Sequence, residues 1–599
     1  MIFPKRRSLV CILTALLLLL LYLIYSEDIA LSVYRGLLSK PVEPPIITDS
    51  SDQKDPIENK ASFWRTVPVR HPVTSLRALP TGKPLALPKI QAKFPQEPSE
   101  RRQQRLRRQK TVKDAFTRCW SSYKSLAWKM DEVTPLSGSS RNTFGGWGAT
   151  LVDSLDTLWI MGMRDEFQDA VAAVVEIDFS TTALATINVF ETNIRYLGGL
   201  LSAYDLSHDR RLLTKAIEVG DLLYAAFDTP NRMPITHWDL HKAARGEEDQ
   251  QAGEWDAVAA IGSFTLEFTR LSQLTGDARW FDAVQRLMET FDEQQNRTKL
   301  PGMWPLMVSA PQADFTQDTT FGLGALADSM YEYLLKTYAL LGGLEPMYKK
   351  MYEVAMQTAI EHNLFRPMVP DEKDILIAGV AVVTIDDSGQ TRTRLDAQGQ
   401  HLVCFAGGMF ALGGKLFNLP SHVELAQKLV DGCIWTYRAM PVGIMPETFS
   451  MVPCQSVDNC RWDEQTWKQQ VLSRADPAAV QDIRLPRGFT AITDRQYLLR
   501  PEAIESVFIL YRVTGREDLL DAAWDMFEAI QKQTTTTVAN AALSDVTVTD
   551  GHAPQNDSME SFWMGETLKY FYLIFSEPDL ISLDEYVFNT EAHPFRRPI

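Results

Sequence analysis

Six carboxylates lie within apolar segments that have helical periodicity, where charged side chains are uncommon. They are Glu191, Asp328, Glu502, Glu505, Glu560 and Glu566. Arg195 follows Glu191 by about one helical turn, and Pro501 precedes Glu502 at a position that suits a first helical turn. Taken singly, each acid is explained more readily by a capping or salt-bridge role than by catalysis, because the helix dipole stabilises carboxylates near helix N-termini.

Taken together, these acids are typical of a glycosidase site. Glycoside hydrolysis needs two opposed carboxyl groups, one protonated to assist the departing oxygen and one ionised to act on water or on the sugar. Burial and the proximity of like charges can push their two pKa values apart. The aromatic residues Phe405, Phe562 and Trp563 lie close to the acids or motifs in sequence and can stack on a sugar face. The residues alone therefore suggest a glycosidase without naming its sugar.

Helices must position these acids, because helical periodicity dominates from about residue 111 to the end of the chain. The clearest periodic segments are 188–206, 257–273, 321–340, 346–362, 421–438, 501–512, 517–532 and 559–575. Many of them come in pairs, and Gly276 and Gly515 occupy two similar joints that suit helix C-caps. We therefore predict an all-α fold in which helical hairpins close into a ring, with helix starts converging at one mouth.

Two segments have strand character instead. Residues 375–384, a turn at 386–389 and residues 391–395 predict a β-hairpin. Residues 586–588, Tyr-Val-Phe, predict a second short strand near the C-terminus.

The N-terminus predicts a membrane anchor. A basic cluster, Lys5 to Arg7, precedes an apolar run at residues 9–25, which is near the lower length limit for a membrane span. The alternative, a cleaved signal peptide, is disfavoured because small residues in a cleavage arrangement are missing after Tyr25. We predict a type II protein with a cytoplasmic tail at 1–8, an N-terminal transmembrane helix at 9–25 and a lumenal body.

The lumenal part is predicted to have two regions. Residues 26–110 are rich in proline, lack apolar periodicity and end in a basic run at 101–110, so we expect a stem that is mostly disordered. Residues 111–599 form the predicted catalytic domain. Sequons at Asn296 and Asn556 are consistent with lumenal exposure, although such signals are weak alone.

Composition excludes some classes of partner. The chain has 599 residues, of which 45% are hydrophobic, and a net charge of -16, so nucleic acid is a poor partner. Of the six cysteines, Cys11 lies in the predicted anchor. The five that remain can form disulfides in an oxidising lumen, but their odd number predicts at least one free thiol.

Seven ordered motifs identify a family. They are GWGATLVDSLDTL (146–158), FETNIR (190–195), ADSMYEYL (327–334), HLVCF (401–405), LRPEAIES (499–506), ESFW (560–563) and FNTEAHP (588–594). The chain resembles glycoside hydrolase family 47, the class I α-1,2-mannosidases, over essentially all of residues 114–595. With its predicted anchor, it looks like a fungal-type, membrane-anchored member.

The resemblance implies a fold and a reaction. The fold would be an (α/α)7 barrel with small β-hairpins, one of which plugs the barrel and carries Thr590 at its tip. The reaction would be inverting exo-hydrolysis of oligomannose N-glycans on glycoproteins, with Ca²⁺ as cofactor. Thr590 would hold the metal through its hydroxyl and carbonyl oxygens, and Ca²⁺ accepts six to eight oxygen ligands in flexible geometry.

The resemblance also assigns roles. Glu502 would be the base that activates water, while Glu191 and Asp328 would act on the acid side, with the proton donor left open between them. The sugar site would be lined by Arg195, His401, Arg500, Glu505, Phe562, Glu566 and Glu591. Cys404 and Cys433 would form the structural disulfide of the family, Cys454 and Cys460 a smaller bridge, and Cys119 would be left over.

Two positions depart from relatives. Ala260 stands where many members carry Glu, which puts affinity or linkage preference in doubt. Leu326 stands where endoplasmic-reticulum-type members commonly carry Arg. Because Leu326 cannot donate hydrogen bonds, we predict broader, Golgi-type trimming from nine mannoses toward five or six, with neighbouring loops as the alternative determinant.

Two rival functions stay open at this point. One is a quality-control relative that marks misfolded glycoproteins for degradation, and turnover of free oligosaccharide would discriminate it. The other is a type II glycosyltransferase, which would bind a nucleotide sugar on an α/β sheet. No alternating βα pattern is visible, so we predict no nucleotide cofactor. The sequence leaves the choice between Golgi and endoplasmic reticulum open.

Overall fold

The computed structural model describes residues 62–247, 249–386, 388–456, 459–474 and 484–598. The predicted cytoplasmic tail, the membrane anchor and the first part of the stem lie outside these residues. Within the described ranges, no helix combines the length and apolar character needed to cross a bilayer.

Fourteen helices of the described residues form a double ring. In chain order they are α1 (Ser99–Leu126), α2 (Leu155–Ile160), α3 (Arg164–Val175), α4 (Gly198–Ser207), α5 (Arg210–Ala225), α6 (Thr265–Thr275), α7 (Arg279–Gln294), α8 (Asp328–Leu340), α9 (Pro346–His362), α10 (Phe405–Leu416), α11 (Pro420–Ala439), α12 (Glu502–Thr514), α13 (Asp518–Thr534) and α14 (Leu568–Ile574). Each even-numbered helix contacts the next even-numbered one, and a π-helical turn at Trp563–Thr567 contacts α2 and closes the ring. The odd-numbered helices pack outside, with α1 against α14.

Short helical pieces complete several starts of the inner helices. They are Ala149–Asp153 before α2, Val189–Glu191 and a π-helical turn Thr192–Leu197 before α4, Val258–Gly262 before α6, and the 3-10 turn Leu402–Cys404 before α10. Peripheral helices lie at Phe63–Thr66, Leu240–Arg245 and Glu464–Arg474.

Local sequence explains several helix boundaries. Gly276 and Gly515 end α6 and α12 with positive φ angles of 76° and 73°, which confirms the predicted C-caps. The segment predicted as a helix from 321 is a strand at Thr320–Phe321, and α8 begins only at Asp328. The sequence reading missed α10, because an inner-ring helix is apolar on nearly all sides and shows little amphipathic contrast.

The strands are short and antiparallel. Val380–Ile385 pairs with Thr391–Asp396, as predicted, and also with Thr320–Phe321. This hairpin begins at 380 and not at 375, because Ile377–Ala378 pairs with Leu364–Phe365. The other pairs are Glu132–Thr134 with Ser139–Arg141, Ile187–Asn188 with His237–Trp238, Asp256–Ala257 with Met307–Val308, Thr448–Met451 with both Gln398–Gln400 and Phe489–Asp494, Ala542–Leu543 with Gln555–Asn556, and Tyr586–Phe588 with Pro594–Arg596.

The C-terminal hairpin Tyr586–Phe588/Pro594–Arg596 lies against the inner ring, where it contacts α4 and α8. At its turn, the side-chain amide of Asn589 donates to the Ile194 carbonyl and to Glu267, both at 2.9 Å. Lys569 donates to the Ala592 carbonyl at 2.8 Å. These buried bonds fix the position of Thr590 and Glu591 between Asn589 and Ala592.

The prediction of a stem without fixed structure up to residue 110 is wrong for the described part. Residues 62–98 follow the surface of the ring, and α1 begins at Ser99, so the expected boundary at 110 falls inside a helix. Arg105, from the predicted solvated basic run, is buried and donates to Glu97 and to the Phe575 carbonyl. Sequence periodicity could not indicate the contact with Phe575, because that partner is 470 residues away along the chain.

The disulfide predictions are confirmed. Cys404 is bonded to Cys433, which ties the start of α10 to α11, and Cys454 is bonded to Cys460. Cys119 is a free thiol buried within α1.

Candidate active site

The three candidate catalytic acids lie at helix starts of the inner ring. Asp328 is the first residue of α8 and Glu502 the first of α12. Glu191 ends the helical turn that precedes α4, and its N–H donates to the side chain of Asn188 at 3.1 Å. Inner and outer helices alternate along the chain, so the inner helices all run in the same direction and their starts lie at the same end of the ring. This mouth is where the sequence placed a candidate site.

Glu502 is held by a buried histidine. Its carboxylate lies 2.9 Å from His401 Nδ1, and His401 Nε2 lies 2.8 Å from the hydroxyl of Tyr437. The Glu502 side chain is 13% exposed, so one oxygen is oriented while the group still reaches the mouth. Arg500 is bound in turn by Glu447 at 2.6 Å. Sequence reasoning missed Tyr437 and Glu447.

Asp328 can hold a proton near neutral pH. Burial, with the negative charges of Glu332 and Glu502, raises its pKa to about 7, although the N–H of Ser329 donates to it at 2.8 Å. The contribution of Glu502 also shows that these two acids, far apart in sequence, are brought together. Asp328 is therefore suited to the acid side of acid–base catalysis, opposite the carboxylate of Glu502 that His401 orients.

Arg195 links Glu191 to the C-terminal hairpin. It donates to Glu191 at 2.8 Å and to Glu591 at 2.7 Å, and it is buried. Its guanidinium lies 4.5 Å from the ring centre of Phe144 and 5.7 Å from that of Phe562. The sequence did not indicate Phe144, because this residue lies in a non-helical segment.

Three further predicted sugar-site acids are buried inside the ring and have raised pKa values. Burial and the neighbouring Glu591 raise the pKa of Glu566, and burial raises the pKa of Glu591 to about 7 against the opposing charge of Arg195. Burial and the charge of Glu332 raise the pKa of Glu505 to about 8, although Lys336 lies 3.7 Å away. Burial and neighbouring carboxyl groups therefore favour the protonated form of these acids.

The oxygen atoms of Thr590 are suitable ligands for a hard cation such as Ca²⁺. Its backbone N–H donates to the Tyr333 hydroxyl at 3.3 Å, while no described residue donates a hydrogen bond to its hydroxyl or carbonyl oxygen. Both oxygens are thus free to coordinate a metal, and the carboxyl group of Glu591 follows directly in the chain. Among the described residues, no three His, Cys, Asp or Glu side chains are grouped to hold an ion. Coordination would therefore rely on oxygens of Thr590, water and sugar.

Leu326 borders the mouth beside Ala260. Leu326 is 48% exposed and has a positive φ of 74°, which is unusual for a residue with a side chain. Its carbonyl accepts a hydrogen bond from the Ala259 N–H at 2.9 Å. The two positions that differ from the family pattern therefore lie on one wall, and Leu326 is two residues before Asp328 in the chain.

Comparison with known proteins decides the family. The sequence profile of glycosyl hydrolase family 47 matches residues 115–597, about four fifths of the chain. The chain belongs to this family. The family 47 chain is 37% identical to the human endoplasmic reticulum mannosyl-oligosaccharide 1,2-alpha-mannosidase over 497 residues, which are 81% of this chain and 64% of the human protein. It thus spans somewhat less than two thirds of that relative's length.

Fungal proteins are similar to the family 47 chain over more of their own length. A probable mannosyl-oligosaccharide alpha-1,2-mannosidase 1B of Aspergillus niger is 32% identical, with 81% of this chain and 90% of that protein covered. The solved structure of an alpha-1,2-mannosidase from Trichoderma reesei superimposes with a TM-score of 0.72 at 33% identity, covering 82% of this chain and 98% of that one. The mostly helical family 47 fold is therefore shown by both sequence and structure.

Proposed function

We propose that this family 47 chain is a calcium-dependent, inverting exo-α-1,2-mannosidase that trims oligomannose N-glycans in the lumen of the secretory pathway. The observation that carries the chemistry is the pair Asp328 and Glu502, one acid with a pKa raised to about 7 and one held by His401. The named activities of the human and fungal relatives support the choice of sugar and linkage.

Each acid has a separate task in this proposal. Glu502 takes the proton from the attacking water, with His401 fixing its orientation. Asp328 donates a proton toward the departing oxygen. Glu191 holds Arg195 in place for the sugar hydroxyls. Ca²⁺ bound at Thr590 would orient and distort the mannose through its hydroxyl groups.

The decisive test is product analysis on a nine-mannose N-glycan. We expect stepwise loss of mannose, with the sugar first appearing as the β-anomer in a rapid NMR time course, because a single displacement inverts the anomeric carbon. Initial release of α-mannose contradicts the inverting mechanism. Binding of the glycan without turnover favours the quality-control alternative.

The pH dependence of kcat/KM should report the loss of the proton from Asp328. Since a general acid works only while protonated, we expect kcat/KM to fall above about pH 7, approaching ten-fold per pH unit. In Asp328→Asn, which cannot lose a proton, this alkaline limb should be absent from the residual activity. A limb that persists in Asp328→Asn assigns it to a different group, and the proton donor would then be sought at Glu191.

Leu326 is proposed to set branch preference. An Arg at this position would present a fixed fork of donors to several sugar hydroxyls and hold one branch in one pose. We therefore expect the wild type to proceed from nine mannoses to five or six, whereas Leu326→Arg should accumulate an early intermediate. Glycan profiling over time measures both.

The matched control for this substitution is Leu106→Arg. Leu106 is a 43% exposed leucine on the outer helix α1, so its replacement adds the same charge away from the mouth. Its product ladder should equal that of the wild type. If Leu326→Arg also leaves the ladder unchanged, the neighbouring loops determine branch choice.

A further inference from the structure

Residues 62–98, which we call the belt, lie outside the segment that matches family 47. We propose that the belt positions Glu191: its residue Trp64 buttresses the strand pair that caps the Glu191 turn, so that the segment acts on catalysis and not only on stability. This inference rests on the proposed function, in which Glu191 holds Arg195 in place for the sugar hydroxyls. It concerns a part of the chain to which the family match assigns no role.

Carboxylates on the ring fix the course of the belt. The carboxylate of Asp228 accepts hydrogen bonds from the backbone N–H groups of Arg70 and His71, both at 2.7 Å. Farther along, Asp282 on α7 accepts the N–H of Arg77 at 2.7 Å, and Asp584 accepts that of Ile90 at 2.6 Å. An extended segment without strand partners must satisfy its N–H groups elsewhere, and ionised acceptors make strong bonds. The belt is thus attached at the loop after α5, at α7 and at the turn before the C-terminal hairpin.

The N-terminal end of the belt is firmly packed. Trp64 is only 4% exposed, its indole N–H donates to the Phe179 carbonyl at 3.1 Å, and its ring centre lies 5.2 Å from that of Trp238. On either side of it, Ser62 and Arg65 bind Asp221 on α5 at 2.7 and 2.9 Å. These two polar anchors keep Trp64 inserted between the outer helix α5 and the strand pair Ile187–Asn188/His237–Trp238, which we call the mouth strands.

A short series of contacts leads from Trp64 to the catalytic site. Trp238 is paired with Ile187, and the neighbouring His237 is paired with Asn188, in a ladder of only two residues per strand. Asn188 in turn caps Glu191, whose N–H it accepts at 3.1 Å. So short a ladder has little stability of its own and depends on packing. Trp64 supplies that packing on the Trp238 side.

The test compares variants of the full chain at a temperature at which all of them are folded by circular dichroism. Trp64→Ala should lower kcat on the nine-mannose glycan by about ten-fold or more and leave KM within about two-fold, because a small displacement of residues that position the substrate misaligns the reacting atoms and costs rate. Trp64→Phe keeps an aromatic ring against Trp238 and should recover most of kcat. Amide exchange at residues 187–191 should rise in Trp64→Ala.

Arg77→Ala is the matched control. It removes a belt anchor that holds Glu289 on the outer helix α7 at 2.8 Å, away from the mouth strands. It should lower Tm yet leave kcat and the exchange at 187–191 unchanged. If Trp64→Ala and Arg77→Ala lower Tm alike and both keep the wild-type kcat, the belt only stabilises the fold and the inference is wrong.

Different results would refute the proposal for the belt and the proposed function. A wild type without turnover on the glycan refutes the function, while the exchange comparison still decides whether Trp64 orders residues 187–191. Should Trp64→Ala not fold, Trp238→Phe alters the same contact more gently and must reproduce the loss of kcat and the faster exchange. Wild-type behaviour of Trp238→Phe in both measurements would then overturn the inference.

Discussion

Replacing Glu502 by Gln should lower kcat by at least about 10²-fold while glycan binding is largely retained. The amide keeps the shape of the side chain and its contact with His401, at 2.9 Å in the native protein, but it cannot accept a proton from water. The loss should therefore appear in kcat and not in KM. Steady-state kinetics, with a binding isotherm for the intact glycan, separate the two parameters.

The control for Glu502→Gln is Glu361→Gln, at a 67% exposed position on the outer helix α9. It makes the same chemical change on the surface and should leave kcat and KM unchanged. Activity of Glu502→Gln close to that of the wild type would remove this residue from the role of base. The next candidate for the base would be Asp328, whose pKa is raised to about 7.

Removal of calcium should abolish hydrolysis and lower thermal stability. A ligand that binds only the folded state stabilises it by mass action, by about 4 kcal/mol at a thousand-fold excess over Kd. We expect a chelator to lower Tm in a calorimetric scan and to stop mannose release, and added Ca²⁺ to restore both. Mg²⁺ should restore little, because it demands near-octahedral geometry and releases water reluctantly.

Thr590→Val provides the matched variant for the metal. Valine keeps the shape of threonine but removes the hydroxyl, one of the two oxygens that no described residue engages. Its half-maximal Ca²⁺ concentration, read from Tm as well as from activity, should be higher than that of the wild type. Full activity in excess chelator, with metal content verified as negligible, would contradict calcium dependence.

The sequence by itself determined the local features and the order of the motifs. Gly276 and Gly515 fixed two helix ends, because a left-handed residue is required there whatever surrounds it. The strand at Tyr586–Phe588 and the long amphipathic helices were likewise readable from periodicity. The candidate acids were visible as charges within apolar segments, and their family roles followed from motif order. The cysteine pairs followed from the same resemblance.

Only the tertiary structure decided how these residues act on one another. The pKa of Asp328 depends on Glu502 across the ring, and the raised pKa values of Glu566 and Glu591 depend on a hairpin meeting a helix start. The belt was mistaken for part of a disordered stem up to residue 110, because its partners are acids in segments remote along the chain. Periodicity reports only what a segment does with its own neighbours, whereas burial and charge at a site are set by segments that folding brings together.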